Sequence, residues 1–283
     1  MRRLKILWVT KGLGPGGAER LLAAAARSHD ASRFTFECAY VLPYKDHLAA
    51  ELEAAGVRTH CLSQSRSDLR WPARLTALIR DGDYDVVHVH SPLPGSVARA
   101  AVRSMPAATR PGLVTTEHNR WETHRLPTRL VNRLTIRWDD RTYGVTDEVV
   151  GSMSEGAIAL RHGIDTDHVA AVATDRDAVR DELRLSRDAL VIGTAANFRP
   201  QKDYPNLLQA AARLRATHPD VRVVAVGQGP QESEVRDLAV DLGVDDVVTF
   251  TGFRDDAVRV IGAYDVFTLA SKWEGLPVAI MEA

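Results

Sequence analysis

Leu4-Lys5-Ile6-Leu7-Trp8-Val9-Thr10-Lys11-Gly12-Leu13-Gly14-Pro15-Gly16-Gly17-Ala18-Glu19 is the stretch that decides the fold. Its apolar run predicts a short buried strand. Four glycines and a proline then break the chain, and residues 18–28 continue as an Ala/Leu helix pattern. The same succession repeats outward from there. Strands are predicted at 34–42, 57–62, 85–90, 113–116 and 148–153, and helices at 47–55, 71–80, 95–105 and 127–141. A further helix is predicted at 154–162, with Ser154 and Glu155 in cap-like positions. A second alternation places strands at 190–195, 221–226, 247–251 and 266–270, with helices at 205–217, 232–242 and 255–261. Repeated β-then-α segments define an α/β fold, a parallel sheet with helices on both faces. The polar segment 175–188 separates the two alternations. It sets expected domains of 1–174 and 189–283.

Composition narrows the function. The chain has 283 residues, enough for two modest domains at roughly 100–200 residues each. Lys+Arg is 36 and Asp+Glu is 37, a formal net charge of −1. A general nucleic-acid binder needs a strong positive excess, so that class is excluded. The charge is divided unevenly: residues 1–160 hold 22 cations and 17 anions (net +5), and residues 161–283 hold 14 and 20 (net −6). Cys38 and Cys61 are too few for a disulfide framework and read as reduced core residues. The apolar run behind Arg2-Arg3 is too short for a signal peptide, and no stretch reaches the length of a membrane span. A cytoplasmic location is therefore expected. The last helix would start at Pro277, only seven residues before Ala283, and a doubly wound half-sheet usually needs about two more βα units of roughly 30 residues. The chain is thus expected to be cut short at its C-terminus.

Ligands in open α/β sheets bind beyond the carboxyl ends of the strands, so the residues there are the candidates. Gly16 and Gly17 follow the first strand and open a helix, where backbone can approach an anion closely. His118, in Thr116-Glu117-His118-Asn119, follows the fifth strand and can polarise a hydroxyl or hold a sugar. His88 and His90 share one side of a strand, but no third ligand stands at a metal-site spacing. Arg199 and Lys202 place two cations on one loop, which suits a diphosphate. Glu274, in Trp273-Glu274-Gly275-Leu276-Pro277, precedes Glu282 by eight residues. Paired carboxylates can bind vicinal sugar hydroxyls or serve as the acid and base of a glycosidase. The neighbouring cations fit the hydrolase reading poorly.

Arg125, Arg129, Arg133, Arg137 and Arg141 recur every four residues beside Leu126, Leu130, Leu134 and Trp138. Such a basic amphipathic helix can lie on an anionic membrane. It can equally be a solvated charged face packed by its Leu stripe.

Together, Gly14-Pro15-Gly16-Gly17-Ala18-Glu19, Val86-Val87-His88-Val89-His90-Ser91, Thr116-Glu117-His118-Asn119, Arg199-Pro200-Gln201-Lys202 and Glu274-Gly275-Leu276-Pro277 with Glu282 resemble the retaining glycosyltransferases of family 4. The resemblance runs in order along the whole chain. It implies the GT-B fold: two Rossmann-like, doubly wound parallel-sheet domains facing across a cleft, the second incomplete here. It further implies transfer of a hexose-type sugar from a nucleotide-sugar donor, with retention at the anomeric carbon, in glycan biosynthesis. No cofactor and no essential metal are implied. Gly16 and Gly17 match the loop that approaches the donor phosphate and the acceptor, and His118 the active-site His near the donor sugar. Lys202 matches the diphosphate-binding Lys, Glu274 the Glu on the donor sugar, and Glu282 the Glu on the ribose hydroxyls. The family often has Gly-Arg where this chain has Ala196-Asn197, and Arg199 is taken to replace that Arg. Ala173-Thr174-Asp175 likewise stands where a Pro-Asn-Gly turn is usual.

A nucleotide-sugar epimerase of the same fold and a non-catalytic module that binds nucleotide-sugar are the rival readings. The acceptor is unspecified. The basic first half points to a lipid-linked or membrane-borne one, with the enzyme peripheral on the inner face of the membrane.

Overall fold

Leu7 and Val9 of the first strand, β1 (Leu4–Thr10), pack with Leu75, Ile79, Val87, Val89 and Leu113, whereas Trp8 packs with Leu22, Cys38 and Leu52. Alternate side chains thus go to opposite faces, and both faces are apolar, as an all-parallel sheet covered by helices requires. The computed structural model describes residues 2–153, 156–173 and 175–283, in two units, Met1–Gly163 and Ile164–Ala283.

In the first unit, β1 is followed by α1 (Gly17–Ser28), β2 (Phe34–Tyr40), α2 (Ala49–Ala54), β3 (Arg58–Cys61), α3 (Trp71–Asp81), β4 (Val86–Val89), α4 (Pro92–Arg103), β5 (Gly112–Glu117), α5 (Leu126–Thr135), β6 (Arg141–Gly144), α6 (Asp147–Ser152) and β7 (Ile158–Ala159). All seven strands are parallel, in the order β3-β2-β1-β4-β5-β6-β7. The order reverses between β1 and β4, which opens a crevice at their carboxyl ends.

The second unit contains α7 (Thr166–Val172), α8 (Arg176–Glu182), β8 (Val191–Ala195), α9 (Tyr204–Arg215), β9 (Arg222–Val226), α10 (Glu232–Asp241), β10 (Val248–Gly252), α11 (Ala257–Ile261), β11 (Val266–Phe267) and α12 (Val278–Glu282). Its four parallel strands run β10-β9-β8-β11, so its switch point lies between β8 and β11. The polar segment 175–188 is part of this unit. Arg180 of α8 is fully buried and bonds the Ala263, Arg187 and Ala189 carbonyls and the Asp265 carboxylate.

Four expectations need correction. The helix expected at 127–141 ends at Thr135, passes through a 3₁₀ turn (Ile136–Trp138), and gives way to β6. The strand expected at 148–153 is helix α6, capped by Thr146, whose Oγ1 accepts from Val149 N at 3.2 Å. Its Val149-Val150 pair is apolar, but the cap and the acidic first turn favour helix. Ser154 and Glu155 lie outside the described residues, and within the helix expected at 154–162, Ile158–Ala159 forms strand β7. Cys38 is buried, but Cys61 is exposed because β3 is the sheet edge.

Candidate functional site

In the first unit the turn after β1 lies at the switch point. Lys11 N donates to Ser91 Oγ at 3.0 Å, tying the β1 turn to the end of β4. Gly16 is the N-cap of α1 and Gly17 its first residue, so the glycines end in a helix N-terminus. A Cβ on Gly16 would collide with the Glu19 carboxylate, which folds back over it.

His118 follows β5, next to the end of β4, and it is not alone. His90 Nδ1 lies 3.1 Å from His118 Nε2, the His88 and His90 ring centroids are 4.1 Å apart, and His162 stacks on His118 at 5.7 Å and 11°. His88 Nε2 is 2.9 Å from Thr116 Oγ1. Burial, with the neighbouring imidazoles second, lowers His88 to about 4 and His118 to about 3. The same causes hold His90 well below the ordinary range, and burial lowers His162. All four rings are therefore neutral at pH 7. Among the described residues no group of three or more His, Cys, Asp or Glu is arranged to hold a metal ion. Beside the cluster, buried Glu117 accepts from the His118 and Asn119 amides at 3.1 and 3.2 Å, fixing the turn that carries His118. Sequence reasoning selected His118 but missed the cluster, since His162 lies in no regular element.

In the second unit Arg199 and Lys202 follow β8, and Glu274 follows β11, the two strands that flank the switch point. Lys202 Nζ meets Glu274 Oε1 at 2.5 Å. Gln201 joins the same loops: its carbonyl accepts from Lys272 N at 2.8 Å, and its Nε2 donates to the Trp273 carbonyl at 2.8 Å. Arg199 is exposed, with no ion-pair partner among the described residues. Glu282 is the last residue of α12. Behind these loops Gly227 has φ +145°, and a Cβ there would run into the Ala196 carbonyl, so the β9 turn lies against the β8 turn only with glycine. The structure thus brings Lys202 and Glu274 into direct contact and puts Arg199 on the same loop.

The arginine stripe differs from its expected helix. Arg125 is the N-cap of α5, Arg129 and Arg133 lie within it, Arg137 lies in the 3₁₀ turn and Arg141 in β6. The Leu stripe does not pack inward: Leu126, Leu130 and Leu134 are 58%, 52% and 62% exposed. The buried face of α5 is polar instead. Arg99 of α4, fully buried, donates to Asn132 Oδ1 at 2.6 Å, Thr135 Oγ1 at 3.2 Å and Thr115 Oγ1 at 2.8 Å. It also makes a bidentate pair with Asp139 at 2.7 and 3.0 Å. Those bonds turn the leucines outward, among the arginines. Arg99 was not singled out from the sequence, where it reads as an ordinary helix arginine.

Two parallel-sheet α/β units, each with its candidate residues at its own switch point, define the GT-B class. A family model described as Glycosyltransferase Family 4 matches residues 15–174, and one described as Glycosyl transferases group 1 matches residues 175–283. The chain belongs to glycosyltransferase family 4. It is 28% identical to the UDP-Gal:alpha-D-GlcNAc-diphosphoundecaprenol alpha-1,3-galactosyltransferase of Escherichia coli, over 85% of this chain and 66% of that protein. It is 23% identical to the N-acetyl-alpha-D-glucosaminyl L-malate synthase of Bacillus anthracis, over 76% and 58%. The chain therefore spans about two thirds or less of the length of these relatives. The fold matches that of Anabaena HepE, solved in complex with UDP and glucose, with a TM-score of 0.82 at 20% identity over 99% of this chain and 78% of that one.

Proposed function

We propose that this chain is a retaining glycosyltransferase that moves a hexose-type sugar from a nucleotide-sugar donor to an acceptor. The observation that carries the reading is the Lys202–Glu274 pair between the β8 and β11 loops. A cation and a carboxylate at that position are matched to the two halves of such a donor. Lys202, with Arg199, holds the diphosphate, and Glu274 accepts hydrogen bonds from sugar hydroxyls. Without donor the two neutralise each other. An arriving diphosphate competes for the ammonium and frees the carboxylate for the sugar. As the glycosidic bond breaks, negative charge grows on the leaving diphosphate, and the fixed cations stabilise it there. Glu282 binds the ribose hydroxyls. His118, neutral and buried, contacts the donor sugar, and the Gly16-Gly17 turn approaches the donor phosphate and the acceptor. These groups supply the charge stabilisation themselves, so no essential metal and no cofactor are required.

The acceptor is lipid-linked or membrane-borne, and α5 rests on the inner face of an anionic membrane. No helix among the described residues is long and apolar enough to cross a membrane. Contact of the surface type is supported by the inverted polarity of α5, which exposes Leu126, Leu130, Val131 and Leu134 among arginines. The name of the E. coli relative, which acts on a diphosphoundecaprenol-linked sugar, supports the lipid acceptor. The test is turnover of UDP-, GDP- and ADP-sugars with membrane lipid extract, the product's anomeric configuration read by NMR. Transfer with the donor's own configuration is expected. An inverted product, or an isomerised donor formed without acceptor, contradicts the reading.

A further inference from the structure

Of the other three rings of the histidine cluster, His90 and His162 neighbour His118 and His88 packs on His90, and none of them has yet a part in the reaction. A neutral imidazole carries one N–H and one lone pair, so in the 3.1 Å contact between His90 Nδ1 and His118 Nε2 one ring donates and the other accepts. His90's second nitrogen decides which. His90 Nε2 is buried with no hydrogen-bond partner among the described residues. If Nε2 carried the proton, a buried N–H would be left unpaired, whereas the other tautomer leaves only an unused lone pair, the less costly orphan. The proton therefore sits on Nδ1 and is donated to His118.

The remaining rings hold this arrangement. His88 packs against His90 at 4.1 Å, and its own Nε2 is taken up by Thr116. Trp8 meets His90 edge-on at 6.4 Å and 89°. His162 lies nearly parallel to His118, with ring centroids 5.7 Å apart, and its buried Nε2 has no hydrogen-bond partner among the described residues.

We infer that His90 is a positioning residue that sets the tautomer of His118: it donates from Nδ1 to His118 Nε2, so that His118 carries its own proton on Nδ1. His118 then presents Nδ1–H as a hydrogen-bond donor, the form suited to a sugar hydroxyl or ring oxygen. This inference rests on the proposed role of His118 in the reaction, and it adds the residue that prepares it.

The experiment is long-range 15N–1H correlation NMR on the full chain with 15N-labelled histidine at pH 7.5. In the wild type, His118 Nδ1 is expected to be protonated and Nε2 bare. His90→Phe should shift His118 toward the Nε2–H form, and His90→Asn, whose amide can still donate, should keep it on Nδ1. With UDP-galactose as the probe, hydrolysis of the donor should lose about ten- to a hundredfold in kcat in His90→Phe, the scale of one mis-set hydrogen bond. KM should stay nearly unchanged, and His90→Asn should recover most of the rate. A wild-type His118 protonated on Nε2 overturns the inference without recourse to any variant, as does an unchanged tautomer in His90→Phe. His118→Ala with wild-type turnover would instead refute the role of His118, a result separable from the tautomer assignment.

Discussion

Acidification is the perturbation to which the first unit should respond most strongly. His88, His90 and His118 are neutral in the fold, His88 lowered to about 4 and His118 to about 3, with His90 well below its ordinary range. Unfolding returns each to about 6.5. At pH 5.5 the unfolded state binds a proton at each ring and the folded state does not. Stability is complete above about pH 6.5 and is lost as pH falls from there toward the folded values. Each ring costs RT ln(1 + 10^(6.5−5.5)), about 1.4 kcal/mol at pH 5.5, so three cost about 4 kcal/mol. That is a large share of the roughly 5–15 kcal/mol by which a domain is stable. Urea unfolding at pH 7.5 and 5.5, followed by tryptophan fluorescence, measures it, because Trp8, Trp71, Trp121 and Trp138 of the five tryptophans lie in the first unit. His88→Gln and His118→Gln should each reduce the pH dependence by about 1.4 kcal/mol. A loss below about 1 kcal/mol between the two pH values, or variants with the wild-type dependence, would refute the neutral-cluster reasoning.

Three further outcomes follow from the same structure. Glu274→Gln removes the carboxylate that occupies Lys202, so UDP binding should hold or tighten in calorimetry, while turnover falls by about 10- to 150-fold for a lost charged hydrogen bond. Arg99→Leu leaves Asp139 buried without its bidentate partner and should destabilise the first unit by about 3–5 kcal/mol in urea unfolding. A loss under about 1 kcal/mol would contradict the part given to Arg99. Reversing Arg129, Arg133 and Arg137 to Glu should release the protein from anionic vesicles in co-sedimentation, since each arginine near such a surface is worth about 1 kcal/mol. Binding to neutral vesicles should change little.

The alternation of strand and helix was legible because buried parallel strands such as 221–226 are short apolar runs bounded by turns, and the helices between them carry a 3.6 period. The failures cluster at β6 and α6. Arg141-Thr142-Tyr143-Gly144 is too short and too polar to read as a strand, although it pairs with β5 on one side and β7 on the other. Tertiary pairing overrode local preference there. Lys202 and Glu274 were both selected from the sequence, but their contact spans 72 residues and depends on β11 lying beside β8, an adjacency that no local pattern encodes. The same holds for the histidines, which come from the ends of β4 and β5 and from beyond β7. Arg99 shows the limit from the other side: an arginine in an Ala-rich helix reads as surface, and only the positions of Asn132, Thr135 and Asp139 make it the buried hub that turns the α5 leucines outward.

In the proposed function the β8 and β11 loops hold the diphosphate of a nucleotide-sugar. Calorimetric titration of the full chain with UDP, GDP and ADP, beside Lys202→Ala, tests it most directly. Saturable binding of at least one nucleotide is expected, weakened in the variant by about 10- to 150-fold, the value of a charged hydrogen bond. Absence of binding by all three, or equal affinity in Lys202→Ala, would contradict the claim.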